Sequence, residues 1–194
     1  MAMSDKEAGE ILRQAQEALQ GGRLADALAA GEQVLQSRPE DADALYIAAV
    51  TCRYAKRFGD AAAFLARLHA ASPEFGRAWQ EEGHLARDQG DAAQALAAYD
   101  RACRYNPALE ASWRAQADLL ASAGRQAEAA TARAQSERLR QLPRELVAVT
   151  HHLHEGRLLH AEEICRHYLR TSPRDVEAMR LLAAIGVKLG VLDD

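Results

Sequence analysis

The sequence predicts an all-α solenoid made of antiparallel helix pairs. Three observations carry that expectation. The first is composition: of 194 residues, 43 are Ala and 24 are Leu, whereas Ile, Val and Thr together number 15 and aromatics are 5%. Ala and Leu lose little side-chain entropy in a helix, and a sheet would want more β-branched and aromatic residues. The second is a recurrence. Pro39, Pro73 and Pro107 are 34 residues apart, as are Ala27, Ala61, Ala95 and Ala129, with Ala161 following after 32. Trp79 and Trp113 share the period, and Gly22, Gly90 and Gly124 keep its register, followed by Gly156 and Gly190. The third is that the connections between apolar-periodic runs are only two to five residues long, which suits antiparallel neighbours.

Eleven helices follow in chain order. Helices at 4–20 and 24–36 are divided by Gly22 and stopped by Ser37-Arg38-Pro39. Helices at 42–55 and 58–71 stop at Ala71-Ser72-Pro73; Lys56 stands where the turn Gly belongs, and Gly59 comes three places later. The helix at 75–89 opens with Trp79 on its buried side and ends at Gly90, a residue able to take the left-handed conformation. The next, at 92–104, carries Ala95 and is stopped at Tyr105-Asn106-Pro107 because proline cannot continue a helix. Helices at 109–123 and 126–140 are divided by Gly124 and close early, at Leu142-Pro143, two residues short of the period. Helices at 143–155 and 158–170 are divided by Gly156 and stop at Thr171-Ser172-Pro173, and a last helix covers 175–189. The small Ala five residues after each turn lets two helices approach closely. Ala95 is therefore expected to be buried, and Ala98 on the same helix more exposed.

These residues resemble the tetratricopeptide repeat, a 34-residue helix–turn–helix unit. The best match is Trp79, Gly83, Ala86, Gly90, Ala95, Tyr99, Ala102 and Pro107. The resemblance implies a right-handed superhelical array over 1–194, with units at about 8–41, 42–75, 76–109, 110–141 and 142–175 and a half unit at 176–194.

Signals for chemistry are absent. No Gly-rich phosphate loop, Gly-x-Ser-x-Gly, Cys-x-x-Cys or His-Glu-x-x-His occurs, so an enzyme is not expected and no catalytic residue or cofactor is assigned. His151, His152 and His154 cluster with Glu155, but they lack a firm third ligand, and no metal site is assigned. Cys52, Cys103 and Cys165 are too far apart in sequence to form a motif and read as reduced, buried thiols of a cytoplasmic protein. A net charge of −4 argues against nucleic acid as partner. No run approaches 18 apolar residues, and Met1–Glu10 lacks the apolar core of a signal peptide, so no membrane association is expected.

What remains is a surface. In tetratricopeptide arrays the first helix of each unit lines a concave groove. By register this places Tyr46, Val50, Arg53, Tyr54, Gln80, His84, Arg87, Arg114, Asp118 and Thr150 on one face. Gln16, Val50, His84, Asp118 and Thr150 stand where some members carry the Asn that grips a terminal carboxylate, so that mode of binding is not expected. Tyr and Arg are frequent at binding hot spots. The expected function is a protein- or peptide-binding scaffold, with an acidic or mixed acidic–aromatic ligand pairing with Arg53, Arg87 and Arg114. An alternative rests on Glu177-Ala178-Met179-Arg180-Leu181-Leu182, which resembles bacterial proteins where such repeats precede a sulfotransferase-like domain; the chain would then be the non-catalytic front of a larger enzyme.

The last helix is apolar most of the way round. Val176, Met179, Leu182, Ala183 and Ile185 form one side, with Leu181, Val187 and Leu189 on others. A terminal helix normally keeps a polar outer face. The expectation is a fragment of a longer protein, or end-to-end self-association through helix 175–189.

Overall fold

The computed structural model describes residues 3–190. Among them are eleven helices and no strand: α1 (Asp5–Gln20), α2 (Leu24–Ser37), α3 (Ala42–Tyr54), α4 (Phe58–Ala71), α5 (Gly76–Asp88), α6 (Ala92–Tyr105), α7 (Glu110–Ser122), α8 (Gln126–Gln141), α9 (Arg144–His154), α10 (Leu158–Thr171) and α11 (Val176–Leu189). Every expected helix is present, with each end within one residue of its expected place. The turn and stop residues set these ends, and they need no tertiary information.

The chain divides into two compact units, Met1–Ala98 and Tyr99–Asp194, with the boundary inside α6. In the first unit α1 pairs with α2 and α3 with α4, α2 packs on α3 and α4 on α5, and the first helices α1, α3 and α5 stack on one another. Its core joins Val34, Leu45, Leu65 and Leu68 with the small residues Ala8, Ala44, Ala48, Ala61 and Ala78. In the second unit α7 pairs with α8 and α9 with α10, and α11 packs on both α9 and α10. The core there is Leu146, Val149, Leu153, Cys165, Leu181 and Ile185.

The recurrent Ala is fully buried in all five repeats: Ala27, Ala61, Ala95, Ala129 and Ala161 are each 0% exposed. Ala98 differs from expectation. It is buried too, because the apolar face of α6 is wide enough to take in Ala95, Ala98, Tyr99 and Ala102. The face of α11 also differs. Ala178, Leu181 and Ile185 are packed, while Val176 and Met179 are exposed. Where apolar residues run nearly all round a helix, their spacing does not reveal which side is covered.

The two tryptophans do the same local work. Trp79 Nε1 donates to the Pro73 carbonyl at 2.8 Å, and Trp113 Nε1 donates to the Pro107 carbonyl at 3.0 Å. Each half-buried indole thus ties a first helix to the loop that precedes it. The turn glycines take positive φ, as at Gly90 (81°), and Lys56 takes the same conformation at 58° in the one repeat that lacks the Gly. A left-handed non-glycine residue costs about 1–2 kcal/mol, partly offset by the smaller entropy that Lys loses on folding. Lys56→Gly is expected to stabilise the chain by about 0.5–1 kcal/mol, read as a rise in the urea midpoint; a fall would contradict the assignment.

Candidate functional site

Two residues of the expected face, Arg53 and Tyr54, lie together at the end of α3, and Arg53 reaches across to α5. Arg53 points from α3 to α5, where its guanidinium hydrogen-bonds Glu81 and, at 2.9 Å, Asp88. Glu81 is 3% exposed. Burial pushes its carboxyl up, and the Arg53 charge opposes that. Burial also pulls on Arg53, but its bonds to Glu81 and Asp88 outweigh that and raise its pKa. The same guanidinium lies 4.5 Å over the ring of Tyr54, which is 57% exposed. A fixed cation therefore holds a large aromatic ring at the surface.

A second cluster stands nearer the start of these helices. Arg77 on α5 bonds Asp43 at 2.9 Å and lies 4.6 Å over Tyr46 and 4.7 Å over Phe75. Tyr46 and Phe75 meet edge to face with centroids 6.0 Å apart. Tyr46 is half-buried, as are Gln80 and His84, while Arg87 is exposed. Burial, reinforced by Arg53 and Arg87, lowers the His84 pKa to about 4, so this imidazole is neutral at pH 7. Behind the face, His69 stacks on Trp79 at 3.8 Å and its Nε2 is 2.7 Å from Glu82.

Two members of the expected set are corrected here. Val50 is only 6% exposed, so it belongs to the packing of α3 and has no side chain to offer a ligand. Arg53 is committed to two carboxylates of its own chain, so its charge is spent on joining α3 to α5. Sequence reasoning misses Glu81. Its signal is a carboxylate at a register place where the three other repeats after the first carry Ile47, Ala115 and Val147, although the first carries Arg13.

In the second unit Arg114 and Asp118 are exposed on α7. Thr150 on α9 is half-buried, and its hydroxyl donates back to the Leu146 carbonyl at 2.9 Å. The histidines divide. His151 and His152 are half-buried and His154 is exposed. His151 Nδ1 accepts from Asn106 Nδ2 at 3.0 Å, and Asn106 Oδ1 accepts from the Ala108 amide, fixing the turn before α7. His152 packs edge to face on His160 at 4.5 Å. Among the described residues no group of three or more His, Cys, Asp or Glu is placed to hold a metal ion, and no helix is long and apolar enough to cross a membrane. The three cysteines are buried and unpaired, and burial raises the pKa of each thiol, that of Cys103 to about 12.

The tetratricopeptide repeat family model matches residues 12–74 and 81–141, more than half of the chain. No curated protein matches. Solved structures resemble it at low identity, which shows the fold alone. MamA is 16% identical, with 69% of this chain and 78% of that one covered at a TM-score of 0.60. A thermophilic TPR protein of Thermus thermophilus is 23% identical, with 92% and 98% covered at 0.59. YrrB, described as a TPR protein with an unusual peptide-binding site, is 18% identical, with 88% and 89% covered at 0.55. None of these supports the resemblance to sulfotransferase-like proteins. The repeated Gly turn, buried Ala and Pro stop, together with the family match over most of α1 to α8, establish that the chain belongs to the tetratricopeptide repeat family.

Proposed function

We propose that the chain is a protein-interaction scaffold and that the first-helix face of its first unit binds a peptide segment. The observation that carries this reading is Tyr54. Among the described residues it is the one large hydrophobic side chain of the first unit that stays exposed, and Arg53 fixes its ring. Exposed, rigidly held aromatics are typical binding anchors. Arg87 on α5 is exposed and can pair with a carboxylate, and neutral His84 and Gln80 can hydrogen-bond a backbone. With Arg53 and Arg77 already paired, the face suits a mixed aromatic–acidic ligand better than a strongly acidic one. YrrB, of the same fold, carries a peptide-binding site, which fits this reading.

The experiment is selection of peptides from a random library on the 194-residue chain, with affinities then measured on variants. Tyr54→Ala and Arg87→Glu are each expected to weaken a selected peptide about 10-fold or more, equivalent to about 1.4 kcal/mol, with helicity unchanged. Peptides that bind both variants as well as the parent would remove this face from consideration.

A further inference from the structure

We propose that a cavity at the junction of the fourth and fifth repeats binds a free apolar α-amino acid. The site lies in the second unit and is independent of the proposed peptide face. The repeat register accounts for its place. α2, α4, α6 and α10 each have 14 residues and are followed by a four-residue connection. α8 has 16, and only Leu142 and Pro143 separate it from α9. α9 in turn has 11 residues, whereas α3, α5 and α7 have 13. The half-turn that opens those first helices is missing from α9, and Leu142 and Pro143 hold its register places. The indole tie is missing too, since the place of Trp79 and Trp113 holds Glu145, which is exposed.

The junction carries an open cavity of about 310 Å3, lined by Glu110 of α7, Leu139 and Arg140 of α8, Leu142, and Arg144 and Val147 of α9. Ligand sites run from about 300 to 1,000 Å3, so this one suits a single small molecule. Its lining is of three kinds. Leu139, Leu142 and Val147 are half-buried and give an apolar wall. Glu110 supplies an anion held in place: one carboxylate oxygen accepts from Ser136 Oγ at 2.7 Å, and Ser136 is 6% exposed. Arg140 and Arg144 supply exposed cations. Arg140 meets Glu137 only at 3.7 Å, with both side chains more than half exposed, and a ligand carboxylate displaces such a pair at small cost. An apolar α-amino acid has the complementary parts. Its ammonium suits Glu110, its carboxylate suits the two guanidiniums, and its side chain suits the wall. A purely anionic ligand would meet the Glu110 charge and a purely cationic one the two arginines, so a zwitterion is the better match. A peptide C-terminus would set a neutral amide, not an ammonium, against Glu110.

The test is a titration of the 194-residue chain with L-leucine or L-phenylalanine up to about 10 mM, followed by backbone amide chemical shifts. Saturable shifts are expected within residues 139–147, which span most of the lining. L-phenylalanine amide and N-acetyl-L-phenylalanine each lack one of the two charges, and each is expected to bind at least about 10-fold more weakly. Glu110→Gln, which can still accept from Ser136, and Arg144→Glu are each expected to lose about 10-fold in affinity with helicity unchanged. Arg133→Glu, exposed on α8 and outside the cavity lining, is expected to bind like the parent. Absence of saturable shifts at the highest concentration would overturn the inference. So would affinity unchanged by Glu110→Gln, or equal losses in all three variants. Equal binding of N-acetyl-L-phenylalanine would overturn it as well and would assign the cavity to a peptide C-terminus.

Discussion

Glu81→Ala is expected to lower the unfolding free energy by about 3 kcal/mol, measured by urea denaturation. Removing one partner of a buried ion pair typically costs about 3–5 kcal/mol, because it strands the other charge. Here Asp88 still reaches Arg53 at 2.9 Å, which places the expectation at the lower end of that range. The pair joins α3 to α5, so the loss falls on the stacking of first helices and hence on the candidate binding face. A rescue is also expected. Replacing both members, as Arg53→Met with Glu81→Leu, should recover most of the loss, since buried pairs are often no better than apolar residues of similar size. Arg53→Met would also release the Tyr54 ring from the cation that holds it. A Glu81→Ala chain as stable as the parent would show that the carboxylate is dispensable.

Ala95→Leu is expected to cost about 1–3 kcal/mol, through overpacking of a close helix–helix contact. Ala95 is 0% exposed and stands at the place where all five repeats carry a fully buried Ala. Ala97→Leu, on the exposed side of the same helix, is the control and is expected to stay within about 0.5 kcal/mol of the parent. Ala98→Leu is expected to behave like Ala95→Leu, as Ala98 is buried at 3% exposure. Equal stability of the Ala95 and Ala97 variants in the same denaturation experiment would break the register on which the face assignment depends.

The helices and their ends were legible because local chemistry writes them. Gly90 needs a left-handed turn, Pro107 stops a helix, and Ala95 marks a close approach, each within one repeat of sequence. Lys56 was legible as a departure, and the structure shows the conformational demand of the turn overriding the residue's preference. The candidate face was legible only as positions. Which of its side chains remain available depends on partners far off in sequence: Arg53 is used up by Glu81, 28 residues away, and Arg77 by Asp43, 34 residues away. Val50 and Ala98 were misjudged for a related reason. In a chain so rich in Ala, a wide stretch of each helix is apolar, and periodicity alone cannot find the edge of the buried stripe. On α11 that ambiguity is complete, and only packing against α9 and α10 shows which side is covered.

The most direct test of the proposed binding face is backbone amide chemical-shift mapping of the 194-residue chain titrated with a library-selected peptide. The largest shifts in the first unit are expected on α3 and α5, around Tyr46, Tyr54, Gln80, His84 and Arg87, and they are expected to vanish with Tyr54→Ala. Shifts concentrated on the second helices α2 and α4, with α3 and α5 silent, would contradict the assignment.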